Sequence, residues 1–204
     1  MNQKTAIKIC GLTQVIETEY LNRLPVDYAG MVLFFPKSKR NISLEQAAEL
    51  IKNLRPEIKK VAVVVEPTVE EVLLIEQCGF DILQIHGTVE PEIFTKTSIP
   101  IWKAFNVKDL DEIEQFQKND RVIGYVFDAA KPGSGEVFDW NLLKKIPRGN
   151  KMILLAGGLN AENVRQAIEQ VRPDGVDVSS AVEKDNGQGK DEGKVKKFVT
   201  SVMY

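Results

Sequence analysis

The sequence predicts an α/β protein folded as a single (β/α)8 TIM barrel over residues 1–204. Three observations carry that expectation. Eight short β-branched or aliphatic runs alternate with eight helical patterns. The runs are apolar almost throughout, as in Lys60–Val65, which marks strands covered on both faces of a parallel sheet. A closed barrel accommodates eight such units better than an open, doubly wound sheet, and the GxGxxG nucleotide fingerprint of that alternative does not follow the first strand.

The elements are expected in strict alternation. Strand one, Thr5–Cys10, precedes a helix over Gln14–Asn22, and strand two, Tyr28–Phe34, precedes a helix over Ser43–Leu54 with Ser43 as its cap. Lys60–Val65 is followed by Thr68–Cys78, Ile82–Ile85 by Glu90–Thr97, and Ile101–Phe105 by Asp109–Asn119. The last three pairs are Tyr125–Phe127 with Asn141–Ile146, Met152–Leu155 with Ala161–Gln170 capped by Asn160, and Gly175–Val178 with Glu192–Ser201. No low-complexity linker interrupts the series.

With 27 basic and 29 acidic residues interspersed along the chain, the net charge of −2 supplies no basic stripe for nucleic acid or an anionic membrane. No apolar run approaches the roughly 18 residues of a membrane span, and MNQKTAIKICGL lacks the apolar core of a signal peptide, so a cytoplasmic protein is expected. Cys10, Cys78 and the lone His86 cannot build a metal cage, and no disulfide is expected between the cysteines. Cys78, in IEQCGF, reads as a packed small residue.

In a (β/α)8 barrel the functional groups gather where the strands end at their C-terminal side. Cys10 with Gly11, Pro36–Arg40, His86 with Gly87, Asp128, Gly157 with Gly158, and Ser179 with Ser180 occupy such positions. Cys10 reads as a nucleophile or general base, against the alternative of a core cysteine. Asp128 is followed by AAKPGSGEVFDW, a glycine-rich loop suited to fold over a ligand before Phe138 and Trp140 re-enter the core; the alternative is a solvated loop aspartate. Arg40 closes a cationic run that suits a carboxylate or phosphate, or is simply a solvated face. The small residues of LLAGGLN and DVSSAVE offer backbone N–H groups to a phosphate. His86 either bonds a substrate or satisfies loop carbonyls. Lys8 shares the parity of Cys10 and needs an acidic partner, for which Asp177 on the adjoining last strand is placed.

Taken together, KICGLT, PKSKR, QIHG, GSGEVFDW, LAGGLN and DVSSAVE, in this order, resemble the phosphoribosylanthranilate isomerase family across nearly the whole chain. That resemblance implies Cys10 as general base, Asp128 as general acid and Arg40 as binder of the anthranilate portion. It further implies that Gly157, Gly158, Ser180 and Ala181 hold the phosphate, and that His86 and Asp177 line the substrate site. It implies no cofactor and no metal, a small-molecule substrate (phosphoribosylanthranilate), and a monomer or homodimer. Two departures stand out. Ala181 occupies a position where the family commonly has glycine, which would crowd the phosphate if φ there had to be positive. LFFPKSKR is one residue longer before its proline.

The implied reaction is an Amadori rearrangement of tryptophan biosynthesis, an aldose–ketose isomerisation needing one acid and one base. Free aspartate and cysteine titrate near about 3.9 and 8.5, each on the wrong side of neutrality for its task. A nearby thiolate and desolvation are expected to raise Asp128, and Lys8 or a strand-end donor to lower Cys10. The histidine-pathway isomerase shares the fold but carries aspartate at the end of strand one, and indoleglycerol-phosphate synthase uses a lysine acid on a longer chain. A barrel that only binds a phosphorylated ligand would need neither Cys10 nor Asp128.

Overall fold

The computed structural model describes residues 4–106, 110–128, 139–146 and 149–204. Its strands are β1 (Ala6–Cys10), β2 (Tyr28–Val32), β3 (Lys59–Val65), β4 (Ile82–His86), β5 (Ile101–Asn106), β6 (Val122–Asp128), β7 (Met152–Leu155) and β8 (Gly175–Val178). They pair in parallel in sequence order, and β8 closes on β1 with Lys8 opposite Asp177. The expected (β/α)8 barrel is therefore the observed fold.

Side-chain alternation divides each strand between two cores. The outward set, including Ile7, Ile9, Leu83, Ile85, Phe127 and Val176, packs beneath the helices. The inward set, including Val61, Val63, Ile82, Trp102, Val126 and Leu154, fills the barrel. Trp102, on the N-terminal half of β5, meets Tyr28 edge-on at 4.8 Å between ring centres and helps close the barrel floor. A Cβ at Gly124 would lie 2.8 Å from the Trp102 ring, so the neighbouring strand leaves that space open. Below the floor, Asp27, Asp81 and Asp174, each immediately before an even-numbered strand, accept the backbone N–H of Ile7, Lys60 and Ile153 on a neighbouring strand. Such strand-start bonds serve the stable face of the barrel and leave the opposite face for chemistry.

The helices follow the sequence where capping is strong. α2 (Leu44–Asn53) and α3 (Val69–Cys78) start at reciprocal capping boxes, Ser43 with Gln46 and Thr68 with Glu71. α1 (Ile16–Asn22) and α7 (Glu192–Met203, capped by Asp191) also match expectation. Elsewhere the helices are shorter than expected. α4 is Ile93–Lys96, and the fifth connection is a 3-10 turn, Leu110–Ile113, running into α5 (Glu114–Gln117). The sixth keeps its expected length, one residue earlier, but is a 3-10 helix, Trp140–Lys145. α6 is Val164–Val171, and it does not start at Asn160: that side chain accepts from the N–H of Glu162 and Asn163 and holds a turn ahead of the helix. One turn suffices in the fourth and fifth connections because Ile93 and Phe116 each bury one apolar anchor. No helix among the described residues is long and apolar enough to cross a membrane.

Candidate active site

Each inward side chain at the C-terminal end of a strand faces the same mouth, and there the barrel opens into a cavity of about 500 Å³. Cys10, Arg40, His86, Asp128, Gly157, Gly158, Asp177 and Ser180 all line it. Ala181 does not: it is exposed on the 3-10 turn Ser180–Val182. Its φ is not positive, so the strain feared for alanine at this position does not arise. The loop expected to fold over a ligand, 129–138 with Phe138, lies outside the described residues; Trp140 beyond it does re-enter the core.

β1 contributes the reactive cluster. Lys8, fully buried, donates from Nζ to Asp177 Oδ2 at 2.6 Å, the pairing anticipated from strand adjacency. Burial works to lower the Lys8 pKa, but the charges of Asp177 and Cys10 outweigh it and hold the ammonium above its ordinary value. Burial pushes Asp177 up against the pull of Lys8. Its second oxygen, Oδ1, has no hydrogen-bond partner among the described residues. Cys10 departs from expectation. Lys8 does draw its thiol down, yet burial is the larger effect and the pKa is raised rather than lowered. A thiol at 9% exposure has little water to stabilise a thiolate, the charge of Asp177 opposes one further, and Lys8 and Lys190 do not compensate.

His86 falls inside β4, one residue beyond the expected strand end, so its ring faces the lumen. Burial, with Lys8 and Lys103 nearby, pulls its pKa down to about 4, which makes it a neutral imidazole at physiological pH. Gln84 Nε2 lies 2.9 Å from His86 Nε2, an arrangement that suits a ring protonated on Nδ1. The loop after His86 is pinned from β3: Glu66, in left-handed conformation at φ 48°, accepts from the N–H and hydroxyl of Thr88.

β2 ends two residues before the expected Phe34, because that residue turns left-handed at φ 54° and sends the chain out of the sheet. The excursion brings Arg40 back across the mouth. Its stem lies over Gly11, whose hypothetical Cβ would sit 2.5 Å from Arg40 Cδ, and its Nε donates to Glu183 Oε1 at 2.5 Å.

At the far side, Gly157 and Gly158 are both left-handed, at φ 78° and 67°, and Asn163 Nδ2 holds the Gly158 carbonyl at 2.9 Å. The N–H groups of Gly157, Gly158, Ser180 and Ala181 bond no acceptor among the described residues. Two loops thus bring four free backbone donors to the ends of β7 and β8, an anion-binding arrangement.

Four lining or supporting residues escaped the sequence reading. Gln84 and Asn106 line the cavity and share the inward parity of His86 and Asp128, so a polar residue at inward parity in an apolar strand was the available signal. Glu183 and Lys190 are buried charges in an irregular connection, for which periodicity offers no signal.

The sequence profile of the N-(5′-phosphoribosyl)anthranilate isomerase family matches residues 7–201. The chain belongs to this family. It is 43% identical over 202 residues to the N-(5′-phosphoribosyl)anthranilate isomerase of Thermoanaerobacter sp. strain X514, covering 96% of this chain and 97% of that one. With the Acetivibrio thermocellus enzyme of the same name the identity is 39%, over 97% and 95% of the two chains. Among solved structures, the phosphoribosylanthranilate isomerase of Thermotoga maritima superposes with TM-score 0.86 at 34% identity, covering 98% of each chain. A phosphoribosylanthranilate isomerase in complex with reduced 1-(o-carboxyphenylamino)-1-deoxyribulose 5-phosphate superposes with TM-score 0.83 at 32% identity, again over 98% of each. Its family makes this chain an isomerase of tryptophan biosynthesis, an intramolecular oxidoreductase of the aldose–ketose type.

Proposed function

We propose that this cavity converts N-(5′-phosphoribosyl)anthranilate to 1-(2-carboxyphenylamino)-1-deoxyribulose 5-phosphate by general acid–base catalysis, with Cys10 as base and Asp128 as acid. The observation that carries the assignment is the convergence of a thiol, a carboxylate, a guanidinium and the backbone N–H groups of Gly157, Gly158 and Ser180 on one 500 Å³ cavity. Asp128 protonates the furanose ring oxygen, and the C1–O bond breaks to leave an imine with the anthranilate nitrogen. Cys10 takes the proton from C2, the enolamine forms, and its tautomerisation gives the 2-ketone. Protons move within one molecule, so the chemistry asks for neither a redox cofactor nor a metal.

The remaining residues position the substrate. Gly157, Gly158, Ser180 and Ala181 hold the phosphate through backbone N–H groups, and Arg40 takes the anthranilate carboxylate at the cavity mouth. Neutral His86 and the free oxygen of Asp177 line the same cavity and bond the sugar hydroxyls or the anthranilate nitrogen. Lys8 opposes the burial of Cys10 and so supports the thiolate the base needs. The protein acts as one catalytic domain, residues 1–204, in the cytoplasm, as a monomer or homodimer.

The test is decay of anthranilate fluorescence when purified protein meets freshly generated phosphoribosylanthranilate, with Cys10→Ser and Asp128→Asn in parallel. Rapid decay abolished by either substitution supports the assignment. No decay from well-folded wild type would sink it.

A further inference from the structure

Glu183 and Lys190 play no part in the chemistry above, yet both are buried, Lys190 completely. Glu183 gathers three cations: Arg40 Nε at 2.5 Å and Lys39 Nζ at 2.7 Å donate to its two oxygens, and Lys190 Nζ stands 3.4 Å away. Lys190 Nζ also donates to the carbonyl of Ser179 at 3.1 Å, while the Ser179 hydroxyl donates to the carbonyl of Cys10 at 2.9 Å. The cluster therefore ties the guanidinium of the β2 loop to the β8 loop and to the last residue of β1. Burial pushes the Glu183 carboxyl up, but hydrogen bonds from Arg40 and Lys39 and the charge of Lys190 outweigh it and keep it ionised.

The cost of burying a carboxylate is recovered only if its geometry matters. Arg40 has several rotatable bonds and sits on a loop, where a free guanidinium would sweep many positions. Here its stem rests on Gly11 and its Nε is occupied, while neither terminal nitrogen bonds any described residue. We propose that Glu183, with Lys190 as its buried counter-charge, is a positioning residue that fixes Arg40 across the cavity mouth with its two terminal nitrogens reserved for the substrate's carboxylate. The inference rests on the role given to Arg40 above. Through Arg40, Glu183 governs how the carboxylate end of the substrate is held.

The variant to make replaces both charges by apolar groups of similar length, Glu183→Met with Lys190→Met, so that no buried charge is orphaned. Steady-state kinetics on phosphoribosylanthranilate should show KM raised about tenfold or more, the loss of a preorganised contact, with kcat changed less. Glu183→Gln, which still accepts from Nε, should recover most of the KM. In an Arg40→Ala background the paired substitution should add nothing further. KM within twofold of wild type, or an equal effect in the Arg40→Ala background, would each overturn the proposal. Should the pair not fold, Glu183→Asp withdraws the carboxylate from Nε while keeping its charge, and the same KM rise is expected. Absence of turnover in wild type would refute the isomerase assignment instead, which keeps the two failures apart.

Discussion

Gly30 of β2 lies directly opposite Cys10 of β1 in the parallel ladder, and the proposed base depends on its missing side chain. A Cβ placed there would stand 2.8 Å from Cys10 Sγ, 3.1 Å from Cys10 Cα and 3.1 Å from Lys8 Nζ. Ordinary contacts between such atoms lie near 3.5–4.0 Å, so Gly30→Ala is about 1 Å too tight against the thiol. The backbone itself raises no objection, since Gly30 is not among the positive-φ residues. The sulfur can escape by rotating about its single side-chain torsion, whereas Cys10 Cα can retreat only if the strands part. Activity and stability should therefore both fall. A catalytic group displaced by about 1 Å loses on the order of 100-fold in rate, against about 1–3 kcal/mol for overpacking a core. For a chain of this size that stability loss corresponds to a Tm lowered by about 2 to 12 °C. Fluorescence-decay kinetics and thermal unfolding on the same preparation read both quantities. A kcat/KM within threefold of wild type would refute the placement of Cys10 Sγ as the working base.

Three further outcomes follow from the same cluster and its surroundings. Because burial holds the Cys10 pKa above its ordinary value, thiolate is scarce at neutral pH and kcat/KM should climb with pH through and beyond 9; a plateau reached by pH 7 contradicts this. Lys8→Met removes the cation that opposes that burial, so in a Cys78→Ala background the pH profile of iodoacetamide alkylation at Cys10 should move further up, and an unmoved profile denies Lys8 the role. His86 stays neutral in the folded protein down to about pH 4 but takes a proton near 6.5 once unfolded. Its stabilising contribution is thus present above 6.5 and lost as pH falls toward 4, at a slope of about 1.4 kcal/mol per pH unit, and denaturant titrations of wild type against His86→Gln should show that difference.

The apolar strand runs and their parity were legible from the sequence because each strand is buried on both faces, leaving two-residue alternation to say which side chains look inward. Cys10, His86, Asp128 and Asp177 could be assigned to one mouth on that basis, and Lys8 to Asp177, since closing eight parallel strands in order brings the last beside the first. The caps of α2 and α3 were equally local, each written within four residues. The shortened helices were not, because a helical pattern does not reveal how much sheet remains to be covered once one anchor such as Phe116 is seated. Nor was the titration of Cys10, where burial outweighs the opposing charge of Lys8 and both are set by the packed surroundings. The meeting of Arg40 with Glu183 and Lys190 across two loops likewise needed tertiary structure. Charges in irregular segments carry no period, and what brings them together is the excursion that starts where Phe34 turns left-handed and carries the chain back over the barrel mouth.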